Sequence, residues 1–170
     1  MFTMKSPSIL LRPWSEADAP RLFELASDPQ VGPRAGWPPH QSVDESLHII
    51  RTLFLNPTTW AITLPDGTLI GAIGYGPSCN CGLPALPDEP LVGYWIGRPY
   101  WNHGYCTAAL TQLVDIARRD PTIHSLISAH FLDNPASGRV MEHCGFIPTG
   151  QTATLPTAPR PVRILRLHLP

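Results

Sequence analysis

The sequence predicts an α+β fold with a central mixed sheet, mostly antiparallel and flanked by helices. The first observation is a strand, a tight loop and a helix in succession. The apolar run Leu91–Ile96 ends at a Gly-Arg-Pro breaker, and from Thr107 onward apolar residues follow helical spacing. An apolar strand over residues 123–131 follows this helix, so these two strands are expected to be parallel. The second observation is two adjacent strand pairs, within residues 60–75 and 146–169, that are typical of antiparallel hairpins.

Capping signals predict two helices near the N-terminus. Ser15 and Asp18 form a capping-box pattern that opens the first helix. The second is expected over residues 43–55, with Ser42 as its N-cap. Its expected apolar stripe comprises Leu47, Ile50, Leu53 and Phe54.

The remaining segments complete a single domain over residues 1–170. Residues 8–13 predict the first strand. Two stretches rich in Pro and Gly, residues 31–41 and 76–90, show no periodicity and predict loops, the second of them exposed and mobile. No internal repeat and no linker divides the chain, and its length is that of one ordinary domain.

Composition excludes several classes of protein. Twelve Lys and Arg residues against 13 Asp and Glu residues give a formal net charge of −1, which argues against a nucleic-acid partner held by a basic face. No apolar run is long enough to cross a bilayer, and the N-terminal residues lack the apolar core of a signal peptide. Cys79-Asn-Cys81 is too tight for a zinc clip. We therefore expect a cytoplasmic protein with reduced thiols and without metal, membrane or nucleic-acid partners.

The loop between the strand Leu91–Ile96 and the following helix suits an anion. A helix N-terminus presents unpaired backbone N–H groups in one direction, and the helix dipole adds positive potential there. Gly104 allows close backbone approach or a positive φ within this loop. The stretch therefore predicts a phosphate or pyrophosphate site.

A short capped helix follows the strand over residues 123–131. Asp133 or Asn134 can act as its N-cap, Pro135 fits its first turn, and Gly145 provides a stop just past its end. Ser137 then lies within the first turn.

These two stretches resemble the GCN5-related N-acetyltransferase (GNAT) family. YWIGRPYWNHGYCTAAL, residues 94–110, is similar to motif A, the pyrophosphate loop of the family, and its closest likeness is to the RimJ/RimL-like branch. Residues 134–146 are similar to motif B, an Asn-x-x-Ser helix that ends in Gly-Phe. Trp101 and Cys106 depart from the general motif A pattern, but the binding groups are backbone amides. The resemblance implies a fold in which the two middle strands splay apart.

The resemblance also implies acetyl-CoA as cosubstrate. The strand residues Tyr94, Trp95 and Ile96 would contact its pantetheine arm, and Asn134 would hydrogen-bond that arm. The pyrophosphate would be held by the loop residues His103, Gly104, Tyr105, Cys106 and Thr107.

The implied reaction is direct attack by a neutral amine on the thioester. Ser137 is the expected proton donor to the leaving sulfur, and a backbone N–H of Trp95 or Ile96 would bind the carbonyl oxygen. Trp37 and His40, in the first Pro-rich loop, are the expected acceptor-binding residues. The general base stays open among Asp88, Glu89, His40, Glu45 and His130. Purely structural roles also stay open for two of the predicted site residues. Ser137 could hydrogen-bond the backbone of its own helix, and Asn134 could serve only as the N-cap of that helix.

The acceptor is expected to be a protein N-terminal α-amine or a small-molecule amine. The alternative is a non-catalytic acyl-CoA-binding or interaction module on the same fold, which the missing acidic residue just before Gly93 would favour. The closing strand, residues 162–169, is a candidate for pairing across a homodimer.

Overall fold

The computed structural model describes residues 6–78 and 81–170, so Cys79 lies outside the described residues. Seven strands form one sheet in the order β1-β2-β3-β4-β5-β7-β6. The strands are β1 (Leu10–Pro13), β2 (Thr59–Thr63), β3 (Leu69–Gly76), β4 (Leu91–Ile96), β5 (Ser125–Phe131), β6 (Ile147–Leu155) and β7 (Ala158–His168). Neighbouring strands are antiparallel except β4 and β5, which are parallel and joined by the crossover helix Tyr105–Arg118. The predicted α+β fold is confirmed.

In the described parts of the chain, five α-helices flank the sheet: α1 (Ala19–Ala26), α2 (Gly32–Ala35), α3 (Val43–Ile49), α4 (Tyr105–Arg118) and α5 (Pro135–His143). The capping box of Ser15 and Asp18 is present and opens a 3₁₀ turn that leads into α1. Ser42 caps α3 by accepting a hydrogen bond from the Glu45 N–H at 3.0 Å. The helix predicted over residues 43–55 is α3 continued by a π-helical turn, Ile50–Phe54. None of the helices in the described parts of the chain has the length and apolar character needed to cross a membrane.

The two faces of the sheet carry separate cores. On one face, α4 and α5 pack against the sheet through a cluster that includes Leu110, Leu126 and Met141. On the other face, α1 and α3 pack through a second cluster that includes Leu22 and Ile50. Burial of these apolar side chains holds the helices in place on both sides of β4.

The middle of the sheet is open between β4 and β5. The two strands share one paired position, Leu91 with Ile127, and just beyond it the Ser128 hydroxyl donates to the Val92 carbonyl at 2.9 Å. Backbone groups of successive residues in a strand point to opposite edges. Because the Val92 carbonyl faces β5 and the Gly97 N–H faces β3, the amides of Tyr94 and Ile96 face the gap.

A buried ion pair lies at the closed end of this gap. Glu89 is 2% exposed and accepts hydrogen bonds from Arg166 at 2.7 and 3.1 Å and from the Leu86 N–H at 2.8 Å. Burial alone would raise the pKa of Glu89, but these hydrogen bonds outweigh it and hold that pKa below its ordinary value. The prediction of an exposed loop over residues 76–90 is therefore wrong at this end, because the segment supplies half of a buried pair.

The proposed dimer contact through residues 162–169 is also wrong. This segment belongs to β7, which pairs with β5 along one edge and with β6 along the other. Over residues 162–166 both edges of β7 are paired within the chain, so this part of the strand offers no open edge to a second chain. A homodimer that forms through another surface stays a prediction.

Replacing Glu89 with Gln should destabilise the fold strongly, by about 3–5 kcal/mol, because the largely buried Arg166 guanidinium loses its charge partner. Urea unfolding followed by circular dichroism measures this loss. The matched control is Glu16→Gln, which breaks the exposed ion pair with Arg51 and should leave the unfolding midpoint in place. Equal midpoints for the two variants would contradict a structural role for the buried pair.

Candidate active site

A cavity of about 1220 Å³ opens along the gap between β4 and β5. Residues from both faces of the sheet line it, so it passes between the strands from one face to the other. A cavity of this size accommodates an extended cofactor together with a second small molecule.

The loop before α4 has the geometry of an anion site. Asn102 and Gly104 both have positive φ, 62° and 78°, which turn the chain into the helix at Tyr105. The first intrahelical bond is donated by the Ala108 N–H to the Gly104 carbonyl. Within the described residues, the preceding amides of Tyr105, Cys106 and Thr107 have no hydrogen-bond acceptor, and they point out of the helix end.

Cys106 adds a neutral side chain to this loop. Burial, with a smaller contribution from Cys144, raises the pKa of the Cys106 thiol to about 12, so it carries no charge at neutral pH. His103 is exposed and stacks on Tyr105 with ring centroids 5.6 Å apart. Among the residues predicted to bind the cofactor or the acceptor, it is the one that does not line the cavity.

Ser137 lies directly against Tyr94 beside the gap. The Tyr94 hydroxyl donates to the Ser137 carbonyl at 2.9 Å and lies 3.1 Å from the Ser137 hydroxyl. A phenol has one proton, so when that proton is given to the carbonyl the serine hydroxyl donates to the tyrosine oxygen. Burial raises the pKa of Tyr94 well above its ordinary value, so the phenol remains protonated. Tyr94 thereby fixes the position of Ser137.

Asn134 does not cap α5, contrary to one reading of the sequence. It occupies the N-cap position without a capping bond, and its side-chain amide donates to the Arg34 carbonyl on α2 at 3.3 Å. The Arg34 guanidinium lies 4.6 Å from the ring centroid of Trp101, which follows β4. The short helix α2 therefore bridges the segments that follow β4 and β5 at the open end of the gap.

His130 lies on β5 beneath α5. Its Nδ1 donates to the Phe131 carbonyl at 2.8 Å, which leaves Nε2 as an acceptor in the neutral ring. A Cβ added at Gly138 would meet Nε2 at 2.5 Å, so only glycine permits this approach of α5 to the strand.

The opposite face of β4 presents aromatic side chains to the cavity. Trp37 packs edge-on against Trp95 with centroids 5.5 Å apart, and against His40 at 5.3 Å. His40 is buried, and its Nδ1 lies 2.8 Å from the Ser46 hydroxyl. Burial lowers the pKa of His40, against a smaller opposing effect of Glu45, so the ring is neutral at pH 7.

The structure brings most of the predicted residues together. The predicted residues that line this cavity are Trp37, His40, Tyr94, Trp95, Ile96, Gly104, Tyr105, Cys106, Thr107, His130, Asn134 and Ser137. Sequence reasoning missed Arg34 and the phenol of Tyr94. No local signal marks Arg34, whereas Tyr94 lies in motif A, where the resemblance implies a contact along the strand and not a role for its phenol.

The sequence model described as Acetyltransferase (GNAT) domain matches residues 8–147. The chain belongs to this family. A curated relative, uncharacterized N-acetyltransferase YoaA of Bacillus subtilis (strain 168), is 23% identical over 149 residues, with 84% of this chain and 81% of the relative covered.

Solved structures share the fold. A GNAT-family acetyltransferase from Bacillus anthracis matches with a TM-score of 0.80 at 15% identity, covering 96% of each chain. Spermidine N-acetyltransferase from Vibrio cholerae, solved in complex with CoA and spermine, has a TM-score of 0.76 at 14% identity, covering 94% of this chain and 95% of that one. The predictions of an N-acetyltransferase and of acetyl-CoA as its cosubstrate are confirmed, and the RimJ/RimL-like branch stays a prediction.

Replacing Gly104 with Ala should weaken CoA binding about tenfold, because relieving the strain of a positive φ turns the loop amides away from the position predicted for the pyrophosphate. The matched control is Gly67→Ala, since Gly67 also has positive φ, 89°, but lies in the turn between β2 and β3. Both variants should lose about 1 kcal/mol of stability. Calorimetric titration with CoA separates them, and equal dissociation constants would contradict the loop assignment.

Proposed function

We propose that this protein transfers the acetyl group of acetyl-CoA directly to a primary amine, with Ser137 as the proton donor to the leaving sulfur. The observation that carries the proposal is the Ser137 hydroxyl, fixed by Tyr94 beside the open gap between β4 and β5. Membership of the family indicates the class of reaction, and the positions of the residues around the gap support the role proposed for each.

The pantetheine arm is proposed to bind along the free edge of β4. The amides of Tyr94 and Ile96 face the gap, whereas the amide of Trp95 faces β3. Of the two backbone donors expected from the sequence, Ile96 is therefore the one available to the thioester oxygen as negative charge develops on it. The Ile96 carbonyl is already bonded by the Trp101 indole at 2.7 Å, which holds this end of the strand in position.

Ser137 is proposed to act on the sulfur. Its hydroxyl lines the cavity beside the Tyr94 phenol, so its proton can turn from the tyrosine oxygen to the sulfur as the carbon–sulfur bond breaks, and the serine regains a proton from solvent. Because the phenol remains protonated, it stabilises the serine without bringing a negative charge next to the leaving group.

His40 is proposed as the general base, acting on the amine through water. It lines the cavity on the acceptor face and is neutral, so it can accept a proton. The carboxylate candidates are less well placed. Glu89 is paired with Arg166 outside the cavity, and Glu45 accepts from the Gln41 N–H and does not line the cavity.

Both acceptor classes, a small amine and a protein N-terminal α-amine, fit a direct transfer. A non-catalytic acyl-CoA-binding module would bind acetyl-CoA without turnover. The placement of Ser137 and His40 on opposite sides of the gap supports the enzyme over this module.

Replacing Ser137 with Ala should lower kcat about 100-fold, because the leaving sulfur loses its proton donor, while the dissociation constant for CoA changes little. Thiol release from acetyl-CoA in the presence of an amine measures kcat. Tyr94→Phe is the companion variant: it keeps the ring, frees the serine hydroxyl, and should lower kcat by less. An unchanged kcat in Ser137→Ala would contradict the assigned role.

Replacing His40 with Gln should change the pH dependence of kcat/KM. In the native protein, a plot of log kcat/KM against pH should have a slope of about two below the pKa of His40 and of about one above it. Burial places that pKa under 6.5. The slope of one reflects deprotonation of the amine, and the extra slope reflects His40.

In His40→Gln the slope should be about one throughout, with kcat/KM reduced about 100-fold at pH 7. The control is His48→Gln, since His48 is exposed on α3 and does not line the cavity. A slope of two that persists in His40→Gln would assign the base to another group.

A further inference from the structure

The acceptor side of the cavity combines aromatic and aliphatic side chains with the uncharged polar side chains of Thr52, Asn56 and Thr59. We name the part lined by Trp37, His40, Leu53, Phe54 and Trp95 the acceptor chamber. Three of these side chains, Trp37, Phe54 and Trp95, pack against the core cluster on the α1 and α3 face of the sheet. The chamber wall is therefore aromatic and firmly supported, and His40 is its one titratable group.

No carboxylate lines any part of the cavity. Within residues 6–78 and 81–170 the lining contains no Asp or Glu, and its fully charged side chains are the cations Arg34 and Arg139. All 13 acidic residues of the sequence lie within these described ranges. The chain therefore has no further acidic side chain that could complete the wall.

Three acidic residues in segments that border the cavity are held by other partners, and Glu142, between the lining residues Met141 and His143, does not itself line it. Glu45 accepts from the Gln41 N–H, Asp28 pairs with Arg98 at 2.7 Å, and Asp133 pairs with Arg160 at 3.0 Å. Turning any of them toward the cavity would break an existing bond.

This distribution of charge selects among amines. A polyamine or an aminoglycoside carries several ammonium groups, and each one that leaves water without a carboxylate partner costs several kcal/mol. An amine with a single amino group has only that group to desolvate, and it loses its charge before attack. Its apolar body gains free energy by leaving water against the aromatic wall.

We infer that the acceptor is a primary amine with one amino group on an aromatic body. This inference rests on the proposed transferase function and specifies its substrate class. The same chemistry is found in arylalkylamines and in peptides whose first residue is aromatic. The lower pKa of an α-amine suits a weak base such as neutral His40, so both sources belong in the test.

The experiment measures thiol release at saturating acetyl-CoA with 2-phenylethylamine, tryptamine, the peptide Phe-Gly-Gly, spermine and ribostamycin. The kcat/KM of at least one aromatic amine should exceed those of spermine and ribostamycin about tenfold or more. A value for spermine or ribostamycin equal to or above all three aromatic amines would overturn the inference and leave the transferase function intact. No release with any amine would contradict the transferase function itself.

A charge variant tests the cause of the selectivity. Leu53 lines the chamber yet is 58% exposed, so Leu53→Glu adds a carboxylate at little risk to folding. It should raise kcat/KM for spermine about fivefold relative to that for 2-phenylethylamine. The matched control is Leu55→Glu, because Leu55 is 48% exposed, lies two residues away and does not line the cavity. The same change in the ratio for both variants would overturn the role assigned to the uncharged wall.

Discussion

The site depends on a gap in the sheet that is closed firmly at one end. Glu89 precedes β4, and Arg166 lies on β7 opposite Ile127 of β5. Their buried ion pair therefore spans β5 at the level where β4 and β5 make their one backbone pairing. Breaking a buried pair leaves an uncompensated charge, so this contact resists slippage of the strands. Beyond it the strands diverge, and the free edge of β4 becomes available to a ligand.

β4 separates the two halves of the proposed reaction. Successive side chains of a strand point to opposite faces, so Tyr94 reaches Ser137 on the α5 side while Trp95 reaches Trp37 on the acceptor side. The backbone between them faces the gap. One strand thus presents a phenol beside Ser137, a free backbone edge and an aromatic wall within a few residues. In the proposed reaction the thioester lies between the proton donor and the incoming amine.

Local signals in the sequence were sufficient to predict the features that depend only on neighbouring residues. The positive φ at Gly104 and Gly145, the capping box of Ser15 and the hairpin turn are all short-range features, and the structure contains each of them. Contacts between distant residues could not be predicted. The partner of Glu89 is 77 positions away, and the amide of Asn134 bonds a carbonyl 100 positions away rather than its own helix. Pairings of this kind are set by topology, not by neighbouring residues.

Amide hydrogen exchange measured by NMR tests whether acetyl-CoA binds along the free edge of β4. The amides of Tyr94 and Ile96 face the gap, whereas the amide of Trp95 faces β3. Saturating acetyl-CoA should slow exchange at Tyr94 and Ile96 well beyond any change at Trp95. Exchange at Tyr94 and Ile96 that stays the same in the bound protein would contradict this account.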